Sequence, residues 1–320
     1  MRLIVLALAL AVCLPLLANW LYKLLVLRYT QEEQIRRGVK KRGAYRIVSF
    51  GSSYARYGFD FSASGLAGFN FGLMPQFLYY TEKMIRDFIN CYKPGAYVII
   101  TLPDLVFAEP GKGKYGAERY ASLLSKEMQG DEYSLYNELF VKRFPLLRPS
   151  LRNLKKCIGN IRRIPREYRE YRQLHNRLDA TQVEDAARRR CSDWIREFHL
   201  KDTQTDRLPG GMEQKMAESR RILTDTIAFC LSEGLKPVLV VTPVSAAMNR
   251  RLSEPFMKKV LYDNIAQANV QGIPFLDYMR DERFADAGCY RSSADLLNLN
   301  GRRKFTEIVV KEVIDAYERA

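Results

Sequence analysis

The sequence predicts an α/β fold: a three-layer domain with a central parallel sheet, a helical insert, and one amino-terminal transmembrane helix. Three observations predict it. A long apolar leader opens the chain. Behind it, short apolar runs that stop at glycine or proline alternate with stretches whose apolar residues recur at helical spacing. A polar, basic segment of different composition separates two such α/β-patterned halves.

The leader "LIVLALALAVCLPLLANWLYKLLVL" runs from Leu3 to Leu27 and is interrupted only by Pro15, Asn19 and Lys23. A bilayer-spanning helix needs about 20 mostly apolar residues, and the leader meets that length. A cleaved signal peptide has a shorter apolar region followed by a small-x-small site. Leu16 and Ala18 make a poor one. Residues 1–27 therefore read as an uncleaved signal anchor, with Trp20 and Tyr22 near an interface. The flanking charges conflict with a translocated body. Arg2 and the amino terminus precede the span, whereas Arg28, Arg36, Arg37, Lys40, Lys41 and Arg42 follow it. The positive-inside rule read literally puts the body in the cytoplasm.

Residues 28–44 are polar and basic and read as a stalk or short helix. "YRIVSF" (Tyr45–Phe50) is a buried strand stopped by Gly51, and "GFNFGL" (Gly68–Leu73) a weaker strand or turn. "MPQFLYYTEKMIRDFINC" carries Phe77, Met84, Ile85 and Phe88 at helical spacing, with Pro75 fitting a first turn. "AYVIITL" (Ala96–Leu102) follows a Pro94-Gly95 turn as a strong strand. Strand, helix and strand in so short a stretch imply parallel pairing through crossover helices. The pattern resumes with a helix over Met216–Gly234, a strand over Lys236–Pro243, a helix over 251–270, a strand over Ile273–Tyr278 and a closing helix over Arg302–Tyr317. Residues 45–320 thus form one α/β domain, interrupted by a basic helical insert at about 109–211.

At 320 residues, 47% hydrophobic and 12% aromatic, the chain holds enough apolar mass for a sizeable core. The formal charge of +15 predicts attraction to anionic surfaces without choosing among them. The six cysteines form no C-x-x-C pair and read as free thiols. Only two histidines, His175 and His199, are present. That scarcity excludes a multi-histidine metal site, and no metal or cofactor is expected. "GKGKYG" lacks the phosphate-loop pattern. The run "RRIPREYREYRQ" could stack on bases but carries no nucleic-acid motif. After an anchor it reads as a solvated or headgroup-facing helix, with an acidic glycan or the acidic loops of a membrane protein as other anionic partners.

In open parallel sheets, chemistry gathers where the carboxyl ends of strands turn into loops. Gly51-Ser52-Ser53 occupies such a place. Glycine permits the sharp turn, a serine presents a hydroxyl, and backbone N–H groups there can face an oxyanion. The blocks "VSFGSSYARYGFD", "FNFGLMPQFLYYTEKMI" and "DLLNLNGRRKFTEIV", in this order, resemble the SGNH (GDSL-type) hydrolase superfamily. More narrowly, they resemble its membrane-anchored members that accompany cell-envelope acylation, the DltD-like D-alanyl-lipoteichoic acid transfer proteins and the alginate O-acetylation accessory proteins. The resemblance covers the two flanking halves and not the basic insert. It implies Ser53 as nucleophile, an oxyanion hole from Gly51, Asn70 and Gly72, an extracytoplasmic (periplasmic) body, and a membrane-bound O-acyltransferase as partner.

The last block departs from the family, whose form is Asp-x-x-His followed by Leu-Asn-x-x-Gly. Aligning on Leu297, Asn298 and Gly301 puts Leu296 at the histidine and Ser293 at the aspartate. Aligning on Asp295 puts Asn298 at the histidine. Neither register supplies a base, because leucine accepts no proton and an amide does not replace an imidazole. A serine hydroxyl is a poor nucleophile without one. His199, with Asp202 nearby, or His175 could be borrowed from the insert. Two functions lead: a serine acyltransferase or esterase acting on an envelope polysaccharide, and a member without catalysis that binds or scaffolds in the same machinery; a cytoplasmic-facing, membrane-bound nucleic-acid binder is the outlier.

Overall fold

A computed structural model describes residues 1–113, 117–173 and 178–319. In chain order, the elements used below are α1 (Arg2–Leu25), α2 (Gln31–Val39), β1 (Tyr45–Phe50), α3 (Ser53–Gly58), β2 (Gly68–Asn70), α4 (Leu78–Asp87) and β3 (Tyr92–Thr101). They continue with α5 (Leu151–Gln173), α6 (Ala180–Glu197), α7 (Met212–Ser232), β4 (Lys236–Val241), β5 (Phe275–Asp277) and α8 (Leu299–Glu318). The chain divides into two units: Met1–Lys40 with Gly113–Gln173, and Lys41–Lys112 with Leu174–Ala320. The residues expected as a basic helical insert, about 109–211, fall in both units. Their first part belongs with the apolar leader and their second part with the α/β unit.

In the first unit, α1 is long and apolar enough to cross a membrane, and little of its most apolar window is buried. Of the stalk or short helix expected over 28–44, the helix forms, as α2. Thr30 caps α2 by accepting from the Glu33 N–H, and Ile35 and Gly38 are buried. A small apolar cluster gathers Tyr22 and Val26 with Cys157 of α5, with Leu146 and Ile164 packed against it.

In the second unit, five parallel strands form one sheet in the order β2-β1-β3-β4-β5. β1 and β3 lie inside the sheet and are buried on both faces, so their sequences read as apolar runs rather than alternations. On one face Ile47, Ile99, Val238 and Val240 pack with Phe305, Val309 and Val313 of α8. On the other, Phe50 stacks on Phe71, which meets Phe88 beyond α4 at 5.3 Å. Phe305 is fully buried and touches Phe59, Tyr278 and Phe284. Truncating it to alanine would cost about 3–5 kcal/mol. Two expectations shift. Pro75 precedes α4 instead of opening it, and the helix expected over 251–270 runs unbroken over 254–268 with a π-helical stretch, Lys258–Tyr262, at its middle.

This order reverses direction between β1 and β3: from β1 the chain first adds β2 on one side, then β3, β4 and β5 on the other. The crevice at such a reversal, outside the carboxyl ends of the strands, is where open α/β sheets bind ligands. Here the loops entering it are Gly51-Ser52-Ser53 after β1 and Leu102-Pro103-Asp104 after β3.

Candidate functional site at the switch point

Gly51 makes the turn out of β1 with φ +135, a conformation side chains resist. A Cβ added there would lie 3.0 Å from both the Thr101 carbonyl oxygen and the Thr101 Cβ. The glycine thus lets the ends of β1 and β3 approach. Ser52 takes the cap position of α3, and Ser53 opens its first turn, 8% exposed. Among the described residues the Ser53 hydroxyl has no hydrogen-bond partner.

Behind Ser53, Tyr54 points inward to a buried polar cluster. Its hydroxyl donates to Asp295 Oδ2 at 2.7 Å and lies 2.8 Å from Asp104 Oδ2. Arg190 of α6 donates from Nε to Asp295 Oδ2 at 2.6 Å, and its guanidinium lies over the Trp194 ring at 5.2 Å. Ser293 Oγ donates to Asp295 Oδ1. Asp104 and Asp295 are 1% and 2% exposed, so neither carboxylate has water to lean on.

Charge and proton counts constrain this cluster. Arg190 offsets one of the two carboxylates. Tyr54 has one proton and two carboxylate neighbours, so both contacts are hydrogen bonds only when one carboxyl carries a proton. Burial pushes the Asp104 carboxyl up to about 6, with the charge of Asp295 adding to the rise and the Tyr54 hydrogen bond and Arg190 opposing it. Burial and the same two carboxylates hold the Tyr54 hydroxyl well above its ordinary range, so it stays protonated.

The expected oxyanion donors are engaged elsewhere. Asn70 Nδ2 donates to the carbonyls of Ala55 (2.8 Å) and Phe59 (2.9 Å), while its Oδ1 accepts from the Gly72 N–H at 2.8 Å. Asn70 therefore ties β2 to α3, and neither it nor the Gly72 N–H is a free donor. Gly72 is required for contact: a Cβ there would lie 2.6 Å from the Arg56 nitrogen.

The last block serves to start a helix. Asn298 caps α8, its Oδ1 accepting from the Gly301 N–H at 3.0 Å, and its Nδ2 donates to the Gly288 and Tyr290 carbonyls. A Cβ on Gly301 would fall 2.4 Å from the Cys289 carbonyl oxygen. Leu297 is buried in the core and Leu296 is half-buried. Asp295 is brought to the cluster; Asn298 is a cap and not a base.

His199 is exposed just beyond α6, at φ +54, and none of the cluster's hydrogen bonds goes to it. His175 lies outside the described residues. Among the described residues, no group of three or more His, Cys, Asp or Glu side chains could hold a metal ion.

Tyr54, Asp104 and Arg190 were missed by sequence reasoning. Asp104 had a signal, an acidic residue directly after a strong strand in "VIITLPD". Arg190 had none, being one of three consecutive arginines. In comparisons with known proteins, no family model and no curated protein matches the chain.

Proposed function

We propose that this protein is a membrane-anchored, SGNH-like subunit of a machinery that acylates a cell-envelope polysaccharide. Its body lies outside the cytoplasm, it works beside a membrane-bound O-acyltransferase, and its α/β unit binds or scaffolds without forming an acyl-enzyme. One observation carries the non-catalytic part: the carboxylate that the last block brings to the switch point, Asp295, is committed to Tyr54 and Arg190 and, among the described residues, orients no imidazole. The occupied donors of Asn70 and Gly72 support the same reading. The orientation rests on the resemblance, since large domains translocate largely regardless of flanking charge. The anchor reading is supported by the length and apolarity of α1, which suffice to cross a membrane.

One observation favours catalysis instead: among the described residues, the Ser53 hydroxyl stands unpartnered at the switch point. Gene deletion followed by complementation separates the readings, with acyl content of the envelope glycan as readout. The proposal expects acylation to fall on deletion and to return equally with wild type and Ser53→Ala. Failure of a folded, membrane-located Ser53→Ala would make Ser53 the nucleophile. Unchanged acylation on deletion would remove the envelope-acylation reading altogether.

A further inference from the structure

We propose that α5 lies in the plane of the membrane surface, with an apolar stripe sunk among the upper acyl chains and its basic flank among the headgroups. The inference rests on the reading of α1 as a membrane anchor. α5 has three distinct faces. Cys157 is buried, Asn160 donates to Tyr22 Oη at 3.2 Å, and the Tyr168 ring sits 4.9 Å from that of Tyr29, so this face packs on the end of α1 and the turn after it. Beside it run Leu151, Leu154, Ile158 and Ile161, at 81%, 46%, 48% and 50% exposure. Their spacing of three, four and three residues puts them in one row on the helix. The far side of that row carries Lys155 and Arg162, with Arg152, Lys156 and Arg163 beyond.

An isolated exposed leucine needs no account, but a continuous apolar row on a basic helix does. Its composition fits an interfacial helix, with apolar residues on one face and Lys/Arg on the other. The position of the row settles the occupant. It adjoins the face that grips α1, so the lipid-facing surface of α1 continues onto α5. The end of α1 is itself apolar and exposed at Trp20, Leu21, Leu24 and Leu25, beside the Tyr22 and Val26 that Cys157 of α5 packs on.

The test uses the full chain in lipid nanodiscs containing phosphatidylglycerol, with lipids brominated on the upper acyl chain as quencher and acrylamide as the aqueous one. Ile158→Trp and, separately, Leu154→Trp are made with Trp20→Phe and Trp194→Phe; a parallel protein keeps Trp20 alone. We expect the indoles at both positions to lose emission to brominated lipid as strongly as Trp20, with acrylamide shielded. Arg163→Trp is expected to stay open to acrylamide. Indoles at 154 and 158 that remain bright in brominated lipid and open to acrylamide, while Trp20 is quenched, overturn the inference and leave the anchor standing. If Trp20 is unquenched, the anchor reading fails, and the inference that rests on it falls with it.

Discussion

Replacing Asp104 by asparagine should stabilise the protein at alkaline pH and do little in acid. The carboxyl is buried, and its pKa stands at about 6 in the folded chain against about 3.9 when unfolded. A carboxyl whose folded pKa is raised favours the native state fully below the unfolded value and loses that contribution as pH rises through the folded value. The difference is about two pKa units, and each is worth about 1.4 kcal/mol, so ionising Asp104 inside the protein costs about 3 kcal/mol. Asparagine keeps a neutral group that can still hydrogen-bond Tyr54. The stability of Asp104→Asn minus that of wild type should therefore be small near pH 4, climb between about pH 4 and 6, and level off above pH 7 at up to about 3 kcal/mol. Urea unfolding of the full chain in detergent reads this directly. Trp194 lies beside Arg190 and reports the cluster's opening once Trp20→Phe removes the other indole. Taking the difference between the two proteins at each pH removes every other titrating group. A flat difference across this range, or a mutant less stable than wild type at pH 8, would refute the assignment of the proton to Asp104.

Other outcomes follow from the same geometry. Tyr54→Phe removes the hydroxyl between two buried carboxylates and should cost about 1–3 kcal/mol; losing that hydrogen bond should also move the Asp104 transition above pH 6, visible in the same unfolding series. Gly51→Ala forces a side chain into φ +135 against the Thr101 carbonyl and should lower stability by about 1–3 kcal/mol, measured as a lowered Tm. Asn298→Ala strips the cap of α8 and should cost about 1–2 kcal/mol, whereas Asn298→Asp, which still caps, should recover part of that loss. Fluorophosphonate should label wild type and Ser53→Ala equally; labelling confined to wild type would show an activated Ser53 and redirect the search for its base to His175 and His199.

The sheet was legible because its central strands are buried on both faces, and double burial writes a continuous apolar run such as "YRIVSF" or "KPVLVV". β2 was read too long because its apolar residues continue past Asn70, after the ladder has ended. The Leu-Asn-x-x-Gly block was found for its resemblance, yet the structure gives its residues a mechanical reason: a buried leucine, a cap, and a glycine under a carbonyl. The polar cluster was illegible for a different reason. Tyr54 meets Asp104 across 50 residues of chain and Asp295 across 241, and no local pattern encodes a closure of that length. Asn70 misled because a sequence shows which donors exist but not which are already spent on a neighbouring carbonyl.

The burial of Tyr22 and Val26 against Cys157 means that the apolar leader is not a detachable tether. A soluble fragment beginning at residue 28 would keep the α/β unit's own core but take Tyr22 and Val26 out of the cluster around Cys157. Residues 113–173 would then carry an open apolar seam where the leader had been, prone to self-association. Solubility obtained by trimming the leader would need that segment excised as well. A trimmed chain that aggregates would be reporting a missing structural part rather than an unstable fold.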